Sequence, residues 1–416
     1  MQSEISDIYE SAKVWLVPLN IPFMTVFSSF RKSLITAAVY TAVLLLIFIL
    51  FTWKQHTTQD IFIALPYFVV LYFMLFSVGR PQVSDWLREK LKADIRLIFL
   101  FPLFLVFLYF SYVGLNQQNP LQGTLFLVPY LLFFPVVVLA ARTVTNPKID
   151  WLDFVVFVLF FFPVTLIDVR PSGNLPFSGG GFDSVYRISV MLAAVFAFVT
   201  VRNIRDVGFY PVFKWKYLFT VVWVWLVFYI AVFIFGWAVN FIKLKNEDAI
   251  AILINSKLLK SFISVFLHTA LFEELVFRGL LQNMLAKRIG QSRSWKIFWG
   301  WGLAILTALS LLTGYSLKGD MQWFPALVTV LLCAVAFGME KTGKTPMGVY
   351  TSLALTSVIF GLVHAHAGSI IFVGLASIGG WAYGYVYHKT GNVFYAALLH
   401  ALVNTTPLLF GLELAK

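Results

Sequence analysis

Apolar runs of about twenty residues recur along this 416-residue chain, and that is the length at which a helix crosses the hydrocarbon core of a bilayer. Lipid offers no hydrogen-bond partners, so a spanning segment must satisfy its own backbone as a helix or close into a barrel. The alternating ten-residue segments of a barrel are absent. Charged residues make up 12% of the chain and hydrophobic ones 60%, against about 25% charged in a soluble domain. These features specify an all-α polytopic membrane protein with the lipid bilayer as its surroundings.

Thirteen spans are expected, at 33–53, 61–79, 95–115, 123–141, 151–167, 185–201, 218–239, 257–281, 297–313, 323–338, 347–366, 369–387 and 393–412. The net charge of +12 raises nucleic acid as a partner, but Lys and Arg sit in the short connections between apolar runs, where membrane topology accounts for them. With the N-terminus in the cytoplasm, and cations near span ends counted with the adjoining connections, cytoplasmic connections hold 21 and the opposite ones 9, with Arg278 alone deep inside a span. That bias gives a cytoplasmic N-terminus, and no nucleic-acid partner is expected. Trp53, Trp151, Trp215 and Trp295 fall near span ends, as interfacial aromatics do.

Four segments follow from this reading. Residues 1–32 form a leader lying on the membrane surface, without the small-residue cleavage site of a signal peptide. Residues 33–167 hold five spans with almost no ionisable residues, so their role is unassigned. The stretch 168–184, DVRPSGNLPFSGGGFDS, is a Gly/Pro-rich loop; no strand precedes its glycines and no Lys-Ser/Thr follows them, so it is not a phosphate cradle. Residues 185–416 hold eight spans and the polar residues that need explaining. Cys333, the single cysteine, reads as packing within an apolar run.

A charge at the centre of a membrane helix costs about 2.5–3.5 kcal/mol on insertion scales, yet Glu273, Glu274 and Arg278 lie within six residues of one another. Glu274 and Arg278 stand at i and i+4, one face of a helix, and make a structural pair; Glu273 is rotated about 100° away and is free to face a wet cavity. Taken alone, the stretch also fits a helix end at the interface with Arg278 snorkelling. Phe360 and His364 repeat the i, i+4 spacing on a later span, and His400 and Asn404 repeat it on the last. His268 and His366 point away from these faces and carry no assigned role. In this topology Glu273 and His400 lie nearer the cytoplasmic face, while His364 falls toward the far end of its span.

Glu-Glu-x-x-x-Arg, then Phe-x-x-x-His, then His-x-x-x-Asn, in that order on separate membrane helices, resembles the CPBP family of intramembrane endopeptidases. That family includes the type II CAAX prenyl endopeptidases and the bacterial Abi proteins. The resemblance covers about residues 185–412, within the 185–416 segment, and none is claimed for 1–184. Glu273 and His364 stand 91 residues apart, further than is usual in the family, which makes 297–338 an inserted helix pair.

The resemblance implies an endopeptidase acting on membrane-associated proteins, lipidated ones included. Glu273 with His364 would activate water, and His400 with Asn404 would bind the oxyanion, with Glu274, Arg278 and Phe360 in support. No metal cofactor is favoured; the alternative is a zinc enzyme with Glu273, His364 and His400 as ligands. A second alternative is a non-enzymatic membrane protein (transporter, immunity factor or scaffold), since intramembrane acids and histidines also build proton relays. Family breadth and size make a bacterial inner membrane the expected location.

Overall fold

The computed structural model describes residues 23–116, 122–166, 175–177, 185–244, 256–409 and 412–414. Among them the N-terminal helices are α1 (Phe23–Thr52), α2 (Thr58–Ser77), α3 (Pro81–Ala93), α4 (Leu100–Leu115), α5 (122–145) and α6 (Trp151–Leu166). The rest are α7 (Val185–Val201), α8 (Trp215–Ala238), α9 (256–292), α10 (Trp295–Ser316), α11 (Phe324–Lys341), α12 (Val349–Val363), α13 (Ile370–Thr390) and α14 (Val393–Leu409). Two three-residue strands, β1 (Ile242–Leu244) and β2 (Leu412–Leu414), pair antiparallel beyond the ends of α8 and α14.

Nine of the described helices are long and apolar enough to cross a membrane, and α6, α7 and α14 are shorter apolar helices. The thirteenth expected span lies within α9, the helix that carries Glu273, Glu274 and Arg278. The chain is thus an all-α polytopic membrane protein.

Two expectations change. Residues 1–22 of the leader lie outside the described residues, but residues 23–32 are already part of α1, because the apolar stretch FMTVF runs into the first span without a helix breaker. The basic connection 80–94 is largely helical: Pro81 opens α3 at a position that needs no N–H, and its polar residues alternate with buried Val83, Ser84 and Leu91. A search for long apolar windows passes over such a helix. Of the Gly/Pro-rich loop, only residues 175–177 lie within the described residues.

The helix α7 is apolar all round, and every residue in it except Arg187 is buried. It is surrounded by α2, α3, α4 and α5. Its last carbonyls have no partners within the helix, and polar side chains take them. Arg88 donates to the oxygens of Val199 (2.9 Å) and Thr200 (3.1 Å), and Thr143 to that of Val201 (3.1 Å). The linker that follows is gripped from both sides: Arg80 donates to Pro211 O at 3.0 Å, and Tyr387 to Asp206 O at 2.7 Å. These contacts fasten the N-terminal helices to the C-terminal bundle.

The helices α10 and α11 are built into that bundle. Ser310 and Thr329 share a hydrogen bond of 2.7 Å between them, and Trp299 donates to Cys333 O at 2.8 Å. Cys333 is fully buried. The carboxylate of Glu340, at the end of α11, accepts the backbone N–H groups of Gly348 (3.2 Å), Tyr350 (2.9 Å) and Thr351 (3.0 Å), and so caps α12 with a charge of the favoured sign. Glu340 is 8% exposed. Replacing it with Ala leaves buried donors without acceptors, and a loss of about 1–3 kcal/mol is expected. A lowered melting temperature in detergent checks this, and a melting temperature equal to wild type would show that the cap is dispensable.

Candidate active site

The site is built on the long helix α9, which is not a regular α-helix. Two π segments, Val265–Ala270 and Leu275–Gln282, flank a four-residue α-helical stretch, Leu271–Glu274, that carries both glutamates. Such bulges change the rotational phase of a helix and recur at functional sites. Glu274 is fully buried, whereas the Glu273 side chain is 24% exposed.

Glu274 is held at both carboxylate oxygens. Arg278 Nε stands 3.1 Å from Oε2, and His400 Nδ1 stands 2.9 Å from Oε1. An ionised carboxylate only accepts, so His400 Nδ1–H is the donor. Arg278 also donates to Gly380 O at 3.0 Å on α13. That approach depends on a small residue, since a Cβ at Gly380 would lie 3.0 Å from the backbone of Ser357 on α12.

The Phe360 ring organises the rest of the cluster. The Arg278 guanidinium lies 4.4 Å from its centroid, an arrangement in which the π face screens a buried cation. The His364 ring is 4.5 Å away and the His400 ring 5.8 Å. Tyr383 stacks on His400 at 4.6 Å with an interplanar angle of 9°. Nothing in the sequence of span 369–387 marks Tyr383, because it is one aromatic among several.

His364 follows the last residue of α12 and opens a short 3₁₀ turn, His364–Ala367. The candidate span that carries it runs Val349–Ala367, and the end of that span packs at the level of Glu273. The His364 Nδ1–H donates to Phe360 O at 2.7 Å, which turns Nε2 toward Glu273 at 3.9 Å from Oε2. His400 Nε2 stands 4.0 Å from the same oxygen. Glu273 Oε2 is buried and has no hydrogen-bond partner among the described residues.

Asn404 lies one turn beyond His400 on α14, exposed, and no hydrogen bond joins its amide to the cluster. His366 is exposed beside His364, at 5.8 Å between rings, with Nδ1–H donating to Val363 O. Among the described residues, no group of three or more His, Cys, Asp or Glu side chains has metal-holding geometry. Ligands of one tetrahedral zinc at about 2.0–2.1 Å stand about 3.3 Å apart, closer than Glu273 Oε2 stands to either histidine.

One charged contact escaped the sequence reading. Arg187, inside α7, donates to His268 O at 2.5 Å, and its guanidinium lies 5.2 Å from the Phe272 ring. Only its position two residues into an apolar span signalled it. His268 takes part through its backbone carbonyl.

The comparisons with known proteins bear on the same region. The chain matches the family model described as Rce1-like, type II CAAX prenyl endopeptidase Rce1-like, over residues 255–351 and 339–406. The first matched segment contains Glu273, Glu274 and Arg278, and the second contains Phe360, His364, His400 and Asn404. No match was found among curated proteins or among solved structures. By its C-terminal region, the chain matches the Rce1-like type II CAAX prenyl endopeptidase family, to which its three ordered motifs point.

Proposed function

We propose that this protein is an intramembrane endopeptidase that hydrolyses peptide bonds of membrane-associated, including lipidated, proteins through a water activated by Glu273. The observation that carries this reading is the separation of Glu273 Oε2 from His364 Nε2 (3.9 Å) and His400 Nε2 (4.0 Å). These gaps are too long for direct hydrogen bonds and fit one water about 2.8 Å from each group. The water donates to Glu273 and to His364, whose Nδ1–H is engaged by Phe360 O, so that the Nε2 lone pair is presented.

Attack on the carbonyl forms the new C–O bond and transfers the water's proton to the Glu273 carboxylate, which then passes it to the departing amine. His400 answers the charge on the oxyanion as an imidazolium, supported by the Glu274 carboxylate at Nδ1. The exposed Asn404 amide supplies a second donor from the same helix face. The protein resides in a bacterial inner membrane with its N-terminus in the cytoplasm, as the distribution of cations favours.

Trapping with full-length Glu273→Gln in membranes, followed by mass spectrometry, tests the function. Retained membrane proteins that wild type cleaves support it; retention of none, with no cleavage by wild type, overturns it. The proposed chemistry needs no metal. Activity on a farnesylated fluorogenic CAAX peptide is expected to survive exhaustive treatment with a strong zinc chelator. Loss of activity, restored by zinc alone, would reassign Glu273, His364 and His400 as ligands.

A further inference from the structure

We propose that Arg187, which lies outside the segments matched by the family model, is a positioning residue that sets the rotational phase of Glu273. The proposal rests on the endopeptidase reading above. It follows from counting backbone hydrogen bonds along α9. The Leu271 N–H reaches back five residues to Phe266 O, and the Leu275 N–H reaches back four to Leu271 O. Between them, the three N–H groups of residues 272–274 face the four carbonyls of residues 267–270. The stretch is thus one donor short for its carbonyls, and at membrane depth a further donor is stabilising.

Arg187 supplies a further donor. Its Nη1 donates to His268 O at 2.5 Å, a charge-assisted bond to one of those four carbonyls. The guanidinium also lies against Phe272, the residue before Glu273. Arg187 is itself held by α7, the buried helix enclosed by the N-terminal helices. The N-terminal helices thereby acquire a role, because they fix the guanidinium that fixes the bulge.

The consequence for the site is rotational. A π segment holds one residue more than the α-helix it replaces, and one residue is about 100° of helix rotation. If the bulge shifts past Leu271–Glu274, both glutamates turn by that angle against His364 and His400, and Glu273 leaves its place 3.9 Å and 4.0 Å from them. With its carbonyl satisfied by Arg187, the bulge stays on the N-terminal side of the glutamates.

The test uses full-length protein in nanodiscs with the farnesylated fluorogenic CAAX peptide. Arg187→Leu is expected to lower kcat about 10²-fold, as misplacement of a reacting group does, with KM within about twofold of wild type. Arg187→Lys keeps a cationic donor and is expected to recover most of the rate. A second readout needs no substrate: in protein labelled with ¹³C at histidine, the His364 and His400 resonances that shift in Glu273→Gln are expected to shift in Arg187→Leu too. A lowered melting temperature with kcat per folded molecule unchanged would mean a purely structural role and overturn the proposal. Histidine resonances identical to wild type would overturn it as well. If wild type cleaves no peptide, the endopeptidase reading fails, and the resonances alone still decide the role of Arg187.

Discussion

Glu273→Gln is expected to abolish peptide hydrolysis while leaving folded yield and melting temperature at wild-type values. The substitution keeps the shape of the side chain and removes its capacity to take a proton. General-base catalysis contributes about 10²–10⁴-fold, so the rate should fall by at least that range. Folding should not suffer. Among the described residues Glu273 has no ion pair with Arg or Lys, its Oε2 has no hydrogen-bond partner, and histidine nitrogens stand 3.9 Å and 4.0 Å from it. An uncharged amide removes a buried charge from a membrane helix, which favours stability. The measurements are cleavage of the fluorogenic peptide, yield after size-exclusion chromatography and thermal unfolding in one detergent. Cleavage within tenfold of wild type would remove Glu273 from the mechanism.

The helices were legible because their cause is local. Lipid requires each spanning segment to be apolar and to close its own hydrogen bonds, so composition alone marks α1 or α8. The polar α3 lacks that signature and reads as a loop. At the site, i, i+4 spacing brings Glu274 beside Arg278 within one helix, and the ion pair stands at 3.1 Å. Spacing could not show that His400, 126 residues further on, takes the other oxygen of Glu274, because which helix faces which is decided by packing. Arg187 was missed for another reason. Its partner is a backbone carbonyl, and a π segment has no residue pattern that betrays it. The level of His364 relative to Glu273 is likewise set by how the two helices pack, which counting residues along one span does not give.

The paired acid next to the base should behave differently, and Glu274→Gln separates two consequences of losing it. One oxygen of Glu274 accepts from His400 Nδ1 at 2.9 Å, and the other stands 3.1 Å from Arg278 Nε as an ion pair. A glutamine has one accepting oxygen and an amide that donates, so it serves only one partner as the carboxylate did. If its oxygen stays with Arg278, its amide faces His400 Nδ1, which must then carry the lone pair. The imidazole then keeps only its Nε2 proton and is neutral, so it loses the charge with which it answers the oxyanion. Weakening an oxyanion donor costs up to about 10²–10³ in kcat, and a loss of that order is expected here. Arg278→Ala acts on folding instead. It strands a fully buried carboxylate, frees Gly380 O and empties the space over the Phe360 ring. Breaking one side of such a pair costs about 3–5 kcal/mol, enough to lower folded yield sharply. Glu274→Gln should therefore yield more folded protein than Arg278→Ala, and that protein should be inactive. Folded Glu274→Gln with wild-type kcat would show that Glu274 does not support the charge on His400. Full yield of Arg278→Ala would show that the buried charge has another partner.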